Sequence, residues 1–399
     1  MPSLIDSKIA KCRSWEDFEQ LVASHEKTKE KGDLFERLTQ LFLQTSPAYT
    51  SKIKHVWWCN NPYKQELPAR VRQKLKMPED DEGIDLVCET YDANYWSVQA
   101  KYRTDSDKAL TTKELSKFLS LSFITCSGIE LGLVTHTSTK PVRKQKLMGN
   151  TREIGLQNFL EMTPQHWKQV ADICKENTVK PPKKRNPRRY QKQAITRAVK
   201  HFKTERQSRG KLIMPCGTGK SLMAYWIARA LDAKTVVLAV PSLALVKQSL
   251  DDWTAEFLAE GIRPQWLAVC SDDSVGSMKE ADSTVSTVYE AGIPTTTDQK
   301  EIIKFLGKKK KTPKIIFTTY QSGDVLAKAC RAAKYAPDLL IADEAHKTVG
   351  STTKKFATLL SDKNIKIKKR LFMTATERVL RGAGEGKIAS MDNIEIYGD

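Results

Sequence analysis

The 399-residue chain carries 66 Lys and Arg against 47 Asp and Glu, a formal charge of +19. That excess suits a polyanionic partner whose affinity falls steeply with salt. Eight cysteines, at 12, 59, 88, 126, 174, 216, 270 and 330, lack zinc-ligand spacing, and no apolar run approaches membrane-spanning length, which argues against a disulfide frame or a membrane span and for a reducing, cytoplasmic setting.

The length leaves room for two cores. Lys31-Gly-Asp-Leu-Phe-Glu36 opens a segment with Phe35, Leu38, Leu41 and Phe42 at helical spacing, predicting a helix that also carries Glu36. Gly83-Ile-Asp85-Leu-Val predicts a strand starting beside an acid. Tyr95-Trp-Ser-Val-Gln-Ala-Lys101-Tyr predicts another, on which Gln99 and Lys101 share a face because strand side chains alternate. An acid, a metal-capable oxygen and a lysine in this arrangement suit phosphodiester hydrolysis. Asp85 would bind magnesium, with the Gln99 carbonyl as a second oxygen ligand and Glu36 completing the shell. Lys101 would position or help deprotonate the attacking water and offset charge at the scissile phosphate. As a set these residues resemble the PD-(D/E)xK nuclease superfamily, and within it the Mrr-like branch, which accepts Gln in place of an acidic ligand. The reading is a restriction-endonuclease-like domain over residues 1–177, with a mixed sheet flanked by helices. Asn61-Pro62-Tyr63 reads as a turn, since no glycine-rich cofactor loop accompanies it.

Residues 180–211 hold thirteen Lys or Arg and one acid, Glu205. Lys180-Pro-Pro-Lys-Lys-Arg-Asn-Pro-Arg-Arg189 predicts a proline-stiffened basic linker at 178–189, either solvated or tracking DNA between domains. Its composition is also that of a nuclear-localisation patch. Lys308–Lys311 form a second basic run, expected in a surface loop.

Lys211-Leu-Ile-Met214 predicts a buried strand feeding Met214-Pro-Cys-Gly-Thr-Gly-Lys-Ser221. In such a loop Gly217 and Gly219 let backbone N–H groups, with that of Thr218 between them, turn toward phosphate oxygens. Lys220 reaches the terminal phosphates of ATP and the Ser221 hydroxyl can ligate Mg2+. The following helix, Ser221 to Leu231, would bury Leu222, Tyr225, Trp226 and Ala230 on one face and add its positive end to the phosphate site. Asp338-Leu-Leu-Ile-Ala-Asp343 is a further apolar run, ending in Asp343-Glu-Ala-His346. Ligands bind beyond the carboxyl ends of parallel strands, so Asp343 would hold magnesium and Glu344 would orient the attacking water.

These motifs resemble the first RecA-like lobe of superfamily-two helicases and translocases, over about residues 185–380. In that light Tyr190-Gln191 looks like the adenine-reading segment. Val236–Pro241 with Ser242, Leu243 and Gln248, and Ile315-Ile-Phe-Thr-Thr-Tyr-Gln321, look like strands whose ends touch DNA. Leu371-Phe-Met-Thr-Ala-Thr376 looks like the motif coupling hydrolysis to movement, with Thr374, Ala375 and Thr376 at its end and His346 linking it to the nucleotide. The expected fold is a P-loop domain over residues 190–399 with a mainly parallel sheet. Only 23 residues follow Thr376, too few for the second lobe such motors need, and Arg378 and Arg381 are poor substitutes for its arginines. The expectation is a fragment or half of a split protein, binding ATP weakly and hydrolysing it slowly.

Both halves together, with Val269-Cys-Ser-Asp272, Pro294-Thr-Thr-Thr297 and Ser390-Met-Asp392, resemble the amino-terminal part of single-polypeptide, ATP-dependent (type ISP) restriction-modification enzymes. The resemblance implies double-stranded DNA as partner, ATP and Mg2+ as cofactors, and methyltransferase and target-recognition domains in a longer polypeptide. Two alternatives stand beside it: a helicase-like repair or mobile-element protein, and a DNA-binding regulatory module with inactive sites.

Overall fold

The computed structural model describes residues 4–59, 66–79, 83–142, 150–270, 292–309, 311–351, 355–380 and 388–399. Asn61-Pro62-Tyr63, Asp272, Lys310 and Arg381 lie outside them. The chain forms two compact units. One comprises Met1–Pro181 with Tyr289–Ile293; the other comprises Pro182–Val288 with Pro294–Asp399.

The first unit is built on a five-stranded mixed sheet in the order β1 (Ile53–Trp58), β2 (Leu86–Thr90), β3 (Tyr95–Lys101), β4 (Ile129–His136), β5 (Thr151–Ile154). The β1–β2 and β2–β3 pairs are antiparallel, whereas β3–β4 and β4–β5 are parallel. β3 sits centrally and is buried from Tyr95 to Ala100. The helix Thr28–Thr45 packs Phe35, Leu38, Leu41 and Phe42 against Leu86, Cys88, Val98 and Ala100 of the sheet. Each such side chain contributes about 1.5–3 kcal/mol when fully buried. More of the helix is buried than its apolar stripe, including Arg37, Thr39 and Gln40. These polar groups find partners: Arg37 Nε donates to Asp6 at 2.7 Å, and Gln40 Nε2 donates to the Val56 carbonyl at 2.9 Å. The Trp58 indole N–H and the Arg37 guanidinium both donate to Gln40 Oε1. On the other face Val87, Tyr95 and Val134 pack with Leu115 and Phe118 of the helix Thr112–Ser120, which a Thr111–Glu114 capping box starts. Gly83 lies where a Cβ would come within 2.5 Å of Leu121 Cδ1, so a larger residue there would have to displace the Leu121 side chain.

The second unit carries a seven-stranded sheet whose order is β6 (Arg209–Ile213), β13 (Lys369–Thr374), β11 (Leu339–Ala342), β7 (Thr235–Val240), β10 (Lys314–Thr319), β8 (Gln265–Val269), β9 (Thr295–Thr296). All of its pairings are parallel. A small antiparallel pair joins β12 (Gly350–Ser351) to β14 (Ile388–Ala389). Parallel strands buried on both faces read as continuous apolar runs, as β7 and β11 nearly do, whereas β10 buries Lys314 and two threonines as well.

Two expectations need correction. The strand feeding the phosphate loop, β6, is an edge strand rather than a buried one, and Ile213 is 49% exposed. The outer edge of β6 is partly blunted, because Lys211 N–H donates to the Asp399 carbonyl at 3.1 Å. Gly398, at φ +75°, makes that approach possible; a Cβ there would lie 2.4 Å from the Arg209 carbonyl. The helix after the loop, Lys220–Ala230, has no single buried face. Met223 through Ala228 are all buried while Leu222 and Ala230 are only half-buried. It is covered by the helices Arg189–Val199 and Leu243–Ala259, with Tyr225 edge-on to Trp253 and Phe257.

The basic stretch that opens the second unit at Pro182 is partly neutralised. Arg185 bridges Asp252 at 3.0 Å and Glu256 at 2.6 Å, and Lys184 reaches Glu260 at 3.3 Å. Among the described residues no helix is long and apolar enough to cross a membrane.

Candidate nuclease and nucleotide sites

Asp85 stands immediately before β2. Its N–H donates to the Val98 carbonyl at 2.9 Å, and its own carbonyl accepts from Cys59 N–H at 3.0 Å. The backbone is thus fixed in the sheet and the carboxylate is aimed at β3. Asp85 Oδ2 accepts from Ala100 N–H at 2.6 Å and from Gln99 Nε2 at 3.4 Å. From the helix, Glu36 faces the same point. Burial, then the charges of Asp85 and Asp33, push its carboxyl up to about 9, with Lys101 and Lys29 pulling the other way. The structure therefore brings Glu36, Asp85, Gln99 and Lys101 together. Gln99 presents its amide nitrogen to Asp85, so serving as an oxygen ligand would require its amide to turn.

Two facing carboxylates, one raised so far, have the chemistry a divalent cation relieves. Among the described residues no group of three His, Cys, Asp or Glu side chains converges as a metal cage; the candidate set is two carboxylates and an amide. Sequence reasoning missed a neighbouring pair, His136 and Glu153. His136 is paired in register with Lys101 across β3–β4 and is fully buried. Its Nδ1 accepts from Ser138 N–H at 3.2 Å, which leaves Nε2 to donate to Glu153 Oε2 at 3.4 Å. A histidine at the end of a strand adjacent to the lysine-bearing one was the available signal.

In the second unit, adjacency of β6, β13 and β11 gathers three loops at one edge of the parallel sheet. The phosphate loop leaves β6 with Gly217 at φ +75° and Gly219 at φ +80°, conformations that cost a side chain about 1–2 kcal/mol. Thr218 ties the loop by donating to the Pro215 carbonyl at 2.6 Å. The Thr218 carbonyl in turn accepts from Gln191 Nε2 at 2.9 Å and from the Tyr190 hydroxyl at 3.3 Å. Gln191 Oε1 accepts from Arg188 N–H at 2.8 Å, which leaves one amide hydrogen and one lone pair beyond these two bonds. Tyr190 keeps 42% of its surface exposed.

Asp343 and Glu344 follow β11. Lys220 Nζ lies 3.1 Å from Glu344 Oε1, and His346 Nδ1 lies 3.4 Å from Glu344 Oε2. Thr374, at the end of β13, donates to the Thr376 carbonyl at 2.9 Å and is 3.0 Å from His346 Nδ1. Since a threonine has one hydroxyl hydrogen, His346 Nδ1–H is the donor in that contact. A continuous polar chain thus runs Lys220–Glu344–His346–Thr374–Thr376, with half-buried Ala375 inside its last link. Burial, then Lys347, Arg378 and Lys220, lower the His346 pKa against the opposing pull of Glu344, favouring the neutral imidazole. Asp343 is pushed up to about 6 by burial and by Glu344.

Glu344 itself adopts a left-handed backbone, φ +51° and ψ +46°, strained for a residue with a Cβ. Its N–H donates to Asp343 Oδ1 at 2.9 Å. Ser221 Oγ is buried and, among the described residues, has no hydrogen-bond partner. Such an orphan, with a disfavoured carboxylate at Asp343, fits a magnesium–triphosphate ligand. Sequence reasoning missed the Tyr320 hydroxyl, which donates to the Asp343 carbonyl at 2.6 Å, although Tyr320 lies inside the quoted Ile315–Gln321 segment.

The sequence matches the family described as "Type III restriction enzyme, res subunit" over residues 184–378 and the family described as "Restriction endonuclease" over residues 44–176. The "Probable helicase A859L" proteins of African swine fever virus isolates are similar at 28% to 30% identity over 212 to 213 residues; the chain covers 21% of their length. Among solved structures, the "ATP-dependent Type ISP restriction-modification enzyme LlaBIII bound to DNA" superposes with a TM-score of 0.72 at 24% identity, over 96% of this chain and 24% of that one. That likeness shows the fold: a restriction-endonuclease-like mixed sheet and a RecA-like parallel sheet. The chain thus joins a segment that matches the restriction-endonuclease family to a following segment that matches the type III res-subunit family.

Proposed function

We propose that the chain is the nuclease–motor part of an ATP-dependent restriction enzyme: a magnesium-dependent endonuclease joined to an ATP-hydrolysing translocase lobe that acts on double-stranded DNA. The observation that carries this reading is the presence of both side-chain sets in one chain, Glu36–Asp85–Gln99–Lys101 and Lys220–Glu344–His346–Thr374. As the chain spans less than a quarter of LlaBIII, the second motor lobe and any methyltransferase and target-recognition domains would belong to a longer polypeptide. A reducing, cytoplasmic setting accords with eight cysteines that form no disulfide.

At the nuclease site Glu36 and Asp85 would hold Mg2+, joined by the Gln99 amide oxygen after it turns. Bound there, the ion would polarise the scissile phosphate and acidify a water. Lys101 then offsets charge building on the phosphate and orients the water. At the nucleotide site the loop N–H groups would cradle the phosphates, Ser221 and Asp343 would hold Mg2+, and Gln191 with Tyr190 would face the adenine. Lys220, 3.1 Å from Glu344 Oε1, would exchange that partner for phosphate oxygens. Glu344 is then free to orient the attacking water, while His346 keeps it in register with Thr374. The viral relatives, named as helicases, favour one alternative, a helicase-like protein whose nuclease is a processing tool.

The test is binding of a fluorescent ATP analogue in magnesium to the intact chain and to Lys220→Ala. Saturable binding lost in the variant supports the motor reading. Equal binding by both, or none by either, overturns it.

A further inference from the structure

The strained peptide between Asp343 and Glu344 is held from behind as well as from the nucleotide side. Tyr320, the first residue after β10, is 1% exposed, and its hydroxyl donates to the Asp343 carbonyl at 2.6 Å. Neighbouring bonds fix the turn that carries it: Thr319 Oγ1 is 3.2 Å from Ser322 Oγ. A carbonyl cannot donate, so this bond exists only while the phenol keeps its proton. A second tyrosine secures the far end of the same segment. Thr348 donates to the Ala345 carbonyl at 2.7 Å, so the buried Tyr397 hydroxyl, 2.8 Å away, donates to Thr348. The Asp343–Thr348 segment is thus pinned by one phenol at each end, and the Tyr320 bond falls on the peptide whose rotation would swing both acids.

Building on the ATPase reading, we infer that Tyr320 is a positioning residue for ATP hydrolysis. Its hydroxyl fixes the Asp343–Glu344 peptide in the left-handed turn from which Glu344 reaches the phosphate side. Tyr320 touches neither nucleotide nor water and acts through that backbone. The phosphate loop does not depend on this bond, so nucleotide affinity and hydrolysis should respond differently to its loss.

The conservative variant Tyr320→Phe keeps the ring and its packing and removes one hydroxyl. In the intact chain, steady-state ATP hydrolysis and fluorescent-nucleotide binding are measured for wild type, Tyr320→Phe, Glu344→Gln and the double variant. The expected result is a roughly tenfold fall in kcat for Tyr320→Phe, the scale of one lost buried hydrogen bond, with nucleotide Kd within about twofold of wild type. In the Glu344→Gln background the same change should have little further effect, because both act on one step. Wild-type kcat in Tyr320→Phe, equal losses of kcat and affinity, or a full additional loss in the double variant would each overturn the inference. No hydrolysis by wild type would instead defeat the ATPase reading on which it rests.

Discussion

Glu36 shows most directly how burial and a like charge shape a single group. Its folded-state pKa stands at about 9 against an ordinary 4.5, so the folded chain binds a proton that the unfolded chain releases between those values. A raised pKa contributes stability that is complete below the unfolded value and is lost as pH rises through the folded one. Metal-free wild type should therefore lose stability between about pH 5 and 9, by on the order of a few kcal/mol. Glu36→Gln should flatten that loss, and melting temperatures at pH 5 and 8 with a chelator check it. Added magnesium should narrow the gap between the two proteins. Ser221 makes the opposite case, a hydroxyl buried without a partner among the described residues. Ser221→Ala should leave the nucleotide-free chain as stable as wild type, or up to about 1 kcal/mol more stable, while weakening magnesium-dependent nucleotide binding. Thermal melts beside fluorescent-nucleotide titrations decide it; a large loss of stability would mean that the hydroxyl has a structural partner.

The segment entering the second unit turns on Glu256, a carboxylate on the helix Leu243–Ala259 that is 1% exposed and faces Arg185 at 2.6 Å. Removing Arg185 leaves that charge buried with less compensation. The guanidinium is 43% exposed, so water screens part of the loss, and Arg185→Ala should destabilise the second unit by about 1–2 kcal/mol. Glu256→Gln in the same chain should recover much of it, as denaturant melts can show. What the sequence revealed about elements follows the same division between local and distant causes. Gly217, Gly219, the acids after β11 and the Gln99–Lys101 alternation are local signals, and each falls on the expected kind of element. The edge position of β6, the all-round burial of Lys220–Ala230 and the Tyr320–Asp343 bond depend on which strands are neighbours. An order of β6-β13-β11-β7-β10-β8-β9 cannot be read from periodicity, because each strand's pattern is nearly the same. Arg37 and Gln40 were missed for a related reason: polar residues inside a helix look solvated until their partners, Asp6 and Val56, are brought across.

For the whole molecule, each unit has its own sheet and core, and the two proposed sites draw on separate side chains. The excess of positive charge should make duplex binding fall steeply as salt rises. Lys220→Ala should remove nucleotide binding while leaving the nuclease residues intact. A working nuclease beside a separate ATP site in one chain can be tested by plasmid cleavage in magnesium, with and without ATP, by wild type, Asp85→Ala and Lys220→Ala. Wild type and Lys220→Ala should cut and Asp85→Ala should not; cutting that survives in Asp85→Ala, or a wild type that never cuts, would contradict a nuclease at Asp85.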